Sequence, residues 1–272
     1  YSSKISVRKK ENSFDIDKLV STLSKGFKVS ELEYSHENGE SMLVIPYFDM
    51  HFGIANFDTY KETLHKTIEK IKSKKWSKIL LISGQDKLHN DGFTGQTTSG
   101  TIINKVDMEN AWKDAFNFDC TIIDESISNS NSVEVIFSAG NHDQAMGWAL
   151  VKSLEVKYPQ VDFNTEMKQF KAFRWENVFL GITHGDKATQ QRAVKAFIAE
   201  YGNMMVDSKC REILTGHLHH TKTHDDFGIV YRTLGSGVPT DDYHADHAFV
   251  GAVKKFQLLE YDKDGITCIN YV

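Results

Sequence analysis

The sequence predicts an α/β fold built on parallel crossovers, and three observations predict it. Apolar runs rich in Val, Ile and Leu recur at Met42–Phe48, Lys78–Ser83 and Val133–Phe137, which suits buried strands. Helical periodicity lies between the runs, and strand–helix–strand order implies a right-handed parallel crossover. Each run leads within a few residues to Asp, His or Asn (Asp49, Asp86 and Asn141), at the strand ends where α/β sheets build their sites.

In chain order, Tyr1 to Leu32 is polar and Lys-rich, with a short helix expected around Ile16–Leu23. Arg8, Lys9 and Lys10 form a small basic cluster that reads as a solvated arm rather than a nucleic-acid contact. Residues 1–40 are read as an arm or linker remnant, and residues 41–272 as one domain, since neither repeats nor low-complexity blocks divide them. Phe57, Tyr60, Leu64, Ile68 and Ile71 mark the first amphipathic helix, whose Lys61, Lys66, Lys70 and Lys72 read as a solvated face. Gly92 to Thr101 is rich in Gly and Thr and reads as a flexible loop, with a substrate-covering loop as the sharper alternative. Val106–Ile123 is expected to be helical, Asn129–Ser132 a turn, and Trp148–Val156 a helix ended by Tyr158-Pro159. Phe170–Trp175, Asn177–Thr183 and Glu212–Thr215 read as strands, with a helix over Gln190–Tyr201. Ile229–Leu234, Ala252–Tyr261 and Ile266–Val272 alternate like antiparallel strands, and Asp262-Lys263-Asp264-Gly265 suits a hairpin turn.

Composition sets the bounds. With 272 residues, 40% of them apolar and 25% charged, the chain is ordinary for a globular protein that can bury a large core. A net charge of −5 argues against a generally basic surface, although a local basic groove would survive it. Cys120, Cys210 and Cys268 are too few and too far apart for a disulfide framework or a CxxC zinc site, and fit a reducing cytoplasm. No run has the length of a membrane span and no signal peptide opens the chain. Tyr1 stands where Met would start a complete chain, so a fragment or processed form is the expectation, with a further N-terminal domain left open.

Five polar clusters follow apolar runs: Asp49-Met50-His51, Asp86, Gly140-Asn141-His142-Asp143, His184-Gly185-Asp186 and Gly216-His217-Leu218-His219. In an extended backbone the single residue between Asp49 and His51 would point both side chains to one side. Together Asp49, His51, Asp86, Asn141, His184, His217 and His219 offer carboxylate, imidazole and amide donors without a thiolate. Such a set suits Mn, Fe, Zn, Mg or Ni rather than a structural Cys-bound zinc. Seven ligands are too many for one catalytic ion and suit two sharing a carboxylate, a pair able to clamp both oxygens of a phosphoryl displacement.

These motifs, in this order, resemble the calcineurin-like metallophosphoesterases, whose pattern is DxH, GD, GNH followed by an acid, a His beside Gly, and GHxH. The resemblance spans Asp49 to His219. It implies a four-layer α-β-β-α sandwich of two mixed sheets flanked by helices. It implies Asp49, His51 and His219 on one divalent ion, Asn141, His184 and His217 on the other, and Asp86 bridging them, with Mn the first expectation. It further implies attack by a metal-bridging hydroxide, with His142 as the non-ligand histidine that stabilises the transition state or protonates the leaving oxygen. The chain departs from the pattern where Gln85 separates Gly84 from Asp86. Period-two alternation would then turn Asp86 to the wrong face unless the backbone curls at Gly84.

The segment around His89-Asn90-Asp91, the Thr-rich loop, Gly235-Ser236 and Asp242-Tyr243-His244 resembles phage-encoded members related to SbcCD-type exonuclease subunits. His244 and His247 read as surface residues rather than substrate contacts. The implied activity is hydrolysis of a phosphodiester, with DNA as a candidate substrate, in a cytoplasm (the host's if phage-encoded), without a membrane, and with a homodimer left open. Two alternatives stand beside it: a small-molecule or nucleotide phosphomonoesterase, and an inactive scaffold of the same fold that binds proteins.

Overall fold

Alternation along the first strand divides the molecule into layers. In β1 (Met42–Pro46), Met42 and Val44 face one way, Leu43 and Ile45 the other, and every residue is buried. The same division holds in β2 (Lys78–Gly84) and β3 (Val133–Ser138), which continue the sheet in parallel register from β1. The structure, a computed structural model, describes residues 28–239 and 254–272. The basic cluster at Arg8, Lys9 and Lys10, the helix expected at Ile16–Leu23, the Asp242–His244 segment, His247 and the start of the strand expected at Ala252 lie outside the described residues.

Three further strands complete the first sheet: β4 (Asp162–Asn164) beyond β3, and the hairpin of β10 (Gln257–Asp262) and β11 (Gly265–Tyr271) beyond β1. The second sheet holds β5 (Lys171–Trp175), β6 (Val178–Ile182), β7 (Cys210–Thr215), β8 (Lys222–Asp226) and β9 (Ile229–Thr233), in the order β5-β6-β7-β9-β8. Both sheets are mixed. Helices α1 (Lys61–Lys72), α2 (Met108–Asn129) and α3 (Gln144–Lys157) cover the outer face of the first sheet, and α4 (Gln190–Val206) covers the second. Three apolar layers result. Leu43, Ile79 and Val135 meet the three helices, Val44, Ile82, Leu180 and Leu214 meet between the sheets, and Phe179 and Ile213 meet Phe197 of α4. This is the four-layer α-β-β-α arrangement of two mixed sheets that the resemblance implied.

Local differences have physical causes. Helix α3 begins at Gln144, earlier than the expected Trp148, because Asp91 from a distant loop accepts the amides of Ala145 and Met146. Asp107 caps α2, whose start falls at Met108 and whose end reaches Asn129. Strand β8, Lys-Thr-His-Asp-Asp, is an exposed polar edge with no apolar alternation to betray it, and β4 has three residues. Ile229–Thr233 was expected among antiparallel strands; it pairs antiparallel with β8 but parallel with β7. The loops after β1, β2, β3, β6 and β7 converge at one edge of the two sheets.

Candidate metal centre

The five polar clusters meet there, and the backbone rather than strand alternation aims them. Asp49, His51, Gln85, Asp86, His217 and His219 all have positive φ, between 48° and 68°. Asn, Asp and His enter this left-handed region more readily than other residues. The extended geometry expected at Asp49 and His51 is therefore corrected: two left-handed residues flank Met50 and bring both side chains inward. Gly84 (φ 106°), Gln85 and Asp86 form a left-handed run that undoes the phase shift of the inserted glutamine. Gln85 turns aside to donate to Ser138 Oγ at 2.9 Å, while Asp86 enters the site. Gly140 permits the approach, since a Cβ there would run into the Asp86 carboxylate.

Backbone pairing locks two of these loops together: His51 N donates to Asp86 O (2.9 Å), Phe52 N to Lys87 O (2.8 Å), and His89 N to Phe52 O (3.0 Å). Asp86 Oδ1 accepts from His142 N at 2.7 Å, and Oδ2 lies 3.1 Å from His184 Nε2, which is 2.9 Å from Asn141 Oδ1. Asp49 Oδ2 accepts from His217 N at 2.8 Å, and Oδ1 lies 3.4 Å from His219 Nε2. His51 Nε2 faces His219 Nε2 at 3.2 Å. Two trios of donors result, Asp49 with His51 and His219, and Asp86 with His184 and His217, with the ligand atoms of each within 4.8 Å of one another. All seven sequence-selected ligands are thus brought to one place. His142 lies beside them with its Nδ1 2.9 Å from the carbonyl of His89. A carbonyl only accepts, so Nδ1 carries the proton and Nε2 is the nitrogen left for other work.

Burial and neighbouring charges pull the titrating groups of the cluster in opposite directions. Burial opposes ionisation of Asp86, but the imidazoles of His184, His142 and His51 hold it far below the usual carboxylate range. Burial would likewise lower His184, yet the Asp86 carboxylate outweighs it and lifts His184 to about 9. His219 is raised against its burial by Asp49. Burial lowers His51, helped by His142 and His219, and burial with His184 lowers His217. Burial and the neighbouring Asp86 push Asp143 up to about 8. Divalent ions fit this donor set. Among the described residues the buried His184 Nδ1 has no hydrogen-bond partner, Asp49 Oδ1 has only the His219 nitrogen at 3.4 Å nearby, and the facing nitrogens of His51 and His219 offer a lone pair to a cation.

Sequence reasoning gave several residues no role in the site. His89 forms a third imidazole group with His51 and His142, its Nδ1 3.3 Å from His51 Nδ1. Its density of polar neighbours directly after β2 was the available signal. Asp143 accepts from the amides of Asp86 (3.1 Å) and Leu88 (3.0 Å), fixing the Asp86 loop from below. Lys87 and Asp119, both buried, pair at 2.5 Å behind the same loop, a partnership across 32 residues that no local pattern reveals. The Thr-rich loop, expected to be flexible, is bonded into the site: Thr98 N donates to Asn141 O at 3.0 Å, and Thr98 Oγ1 to Asp91 at 2.8 Å.

No family model and no curated protein matches the chain. Solved structures do resemble it. Vps29 from Entamoeba histolytica, complexed with Zn²⁺, is 15% identical with a TM-score of 0.41 over 85% of this chain and 98% of that one. Vps29 from Chaetomium thermophilum is 12% identical with a TM-score of 0.41 over 86% and 97%. A predicted phosphoesterase from Streptococcus pneumoniae is 11% identical with a TM-score of 0.37 over 87% and 90%. At these scores no residue role passes from them to this chain. Among the described residues, no helix is long and apolar enough to cross a membrane.

Proposed function

We propose that the chain is a two-metal phosphoesterase that hydrolyses phosphodiesters joining nucleosides. The observation that carries this reading is the pair of donor trios, Asp49-His51-His219 and Asp86-His184-His217, of which His51, Asp86, His217 and His219 line one cavity. Asp86, which lies 3.1 Å from His184 and lines the cavity beside His51, would be the carboxylate shared by the two ions. Asn141, held against His184, would join the second trio. When bound, two divalent ions, Mn first and Fe, Zn, Mg or Ni as alternatives, supply charge to activate water and neutralise phosphoryl oxygens.

The chain's own residues do the rest. His142, oriented by the His89 carbonyl, lines the cavity and would donate from Nε2 to the leaving oxygen when protonated. Asp143 holds the amides of Asp86 and Leu88, and so the loop that carries Asp86. The narrower phage-type exonuclease branch rests on sequence resemblance alone, and a cytoplasmic setting on the sparse, widely spaced cysteines. Turnover of bis-p-nitrophenyl phosphate and of p-nitrophenyl phosphate by chelator-stripped and Mn-loaded protein tests the reading. The diester should be cleaved faster, and only after Mn is restored. Full activity after exhaustive chelation, or preference for the monoester, would overturn it.

A further inference from the structure

The cavity over the ligand trios has two unlike walls. One is the cluster itself, with His51, Asp86, His142 and His219. The other comes from the loop between β2 and α2 and presents Thr97, Ser99, Thr101, Ile102, Ile103 and Asn104. This second wall is built rather than loose. A turn bonds Gly100 N to Thr97 O and Thr97 N to Thr101 O, both at 2.9 Å, and Gln96 bridges Ile102. Asn90 grips the far end, donating to Asn104 O at 3.1 Å and accepting from Val106 N at 3.1 Å. Thr98 joins the wall to Asn141.

The chemistry of that wall is hydroxyl, amide and aliphatic. Among the described residues lining the cavity, none is Lys or Arg, and Asp86 is the one carboxylate. Lys254 acts electrostatically on His219 but is not among the lining residues. Ile102 lines the cavity and yet is 82% exposed, an apolar side chain held where a ligand could cover it. A strand of nucleic acid carries a phosphate at every step and is tracked by Lys and Arg. On this wall such a phosphate would meet neutral hydroxyl and amide donors but no cation, so part of its hydration would be lost without a compensating charge. The cavity volume of about 500 Å³ is in the range of a small-molecule site.

Resting on the phosphoesterase reading, we infer that the Thr97–Asn104 wall receives an uncharged, hydroxyl-bearing group of nucleoside size, so that the preferred substrate is a short diester with one phosphate rather than a long polyanion. Ile102 packs on the flat face of that group, while Ser99, Thr101 and Asn104 meet its hydroxyls and ring heteroatoms.

Three substrates given to the Mn-loaded full chain test this: thymidylyl-thymidine, a long oligothymidylate, and bis-p-nitrophenyl phosphate. Thymidylyl-thymidine should exceed the oligothymidylate roughly tenfold in kcat/KM, with little dependence on salt. Ile102→Ser should raise KM for thymidylyl-thymidine roughly tenfold with kcat less affected, as expected for loss of an apolar contact. Ile102→Lys should shift preference toward the oligothymidylate. A wild-type preference for the oligothymidylate that falls steeply with salt overturns the inference while the phosphoesterase reading stands, as does an unmoved KM in Ile102→Ser. If none of the three is cleaved by protein shown to hold two ions, the phosphoesterase reading fails and the inference with it.

Discussion

Single residues decide whether the carboxylates can approach the imidazoles. Gly140 is the tightest case, because any Cβ would displace the Asp86 carboxylate from the amide of His142. Gly140→Ala should therefore weaken binding of both ions roughly 10- to 100-fold by titration calorimetry, a loss typical of disturbed support around ligands. Loss confined to one ion would mean that Asp86 does not serve both trios. His142 should behave differently, since its ring nitrogen is spent on the His89 carbonyl rather than on the ligand cluster. His142→Asn should keep two ions by metal analysis yet lower kcat by about 10² to 10⁴. The drop should be greater for thymidylyl-thymidine, whose alkoxide needs a proton, than for bis-p-nitrophenyl phosphate. A variant that melts early and loses metal in proportion to activity would make His142 structural.

At the scale of elements, the loop after β2 is held from behind by the Lys87–Asp119 pair. The Lys87 ammonium lies 5.0 Å from the ring of Phe118 and about as near Tyr47 (5.9 Å) and Phe52 (6.0 Å). Asp119 also accepts from Ser83 Oγ at the end of β2, so the pair ties that strand end to α2 and the Asp49–His51 loop. Removing one partner strands the other charge in the core. Lys87→Met should destabilise by about 3–5 kcal/mol in urea unfolding, and adding Asp119→Leu should restore much of the loss. An additive double variant would show that the two groups do not depend on one another.

At the scale of the whole molecule, buried polar contacts join the two sheets. Tyr261 of β10 donates to Glu212 of β7, which also holds Arg232 in a two-pronged pair at 3.0 and 3.2 Å. Lys171 of β5 donates to the Asn164 carbonyl (3.1 Å) and side chain (3.0 Å) in β4, bridging the sheets at their edges. Burial lowers Lys171 from 10.5 to about 8. The folded state therefore binds fewer protons than the unfolded chain between pH 8 and 10.5, and stability contributed by this site rises with pH in that window. Below pH 8 both states hold the proton and the penalty is constant. Relative to Lys171→Met, the wild type should gain on the order of 2 kcal/mol between pH 8 and 10 in urea unfolding. A flat difference across that range would place Lys171 at an ordinary value.

The sequence by itself determined what local physics controls. Val, Ile and Leu runs with clear ends placed β1, β2 and β3, and polar clusters behind them marked where chemistry would gather. Order along the chain was enough to select Asp49, His51, Asp86, Asn141, His184, His217 and His219, which the fold brings together. Other features were settled only in three dimensions, because their partners are remote in sequence. The early start of α3 depends on Asp91, and the setting of the Asp86 loop on Lys87, Asp119 and Asp143. Strand β8 exists because β9 offers it an edge, not because Lys-Thr-His-Asp-Asp favours a strand. The side to which Asp86 points was ambiguous on alternation alone. Left-handed backbone at Gly84, Gln85 and Asp86, held by bonds to the Asp49–Phe52 loop and to Asp143, resolved it, since tertiary hydrogen bonds can outweigh the strand's own preference.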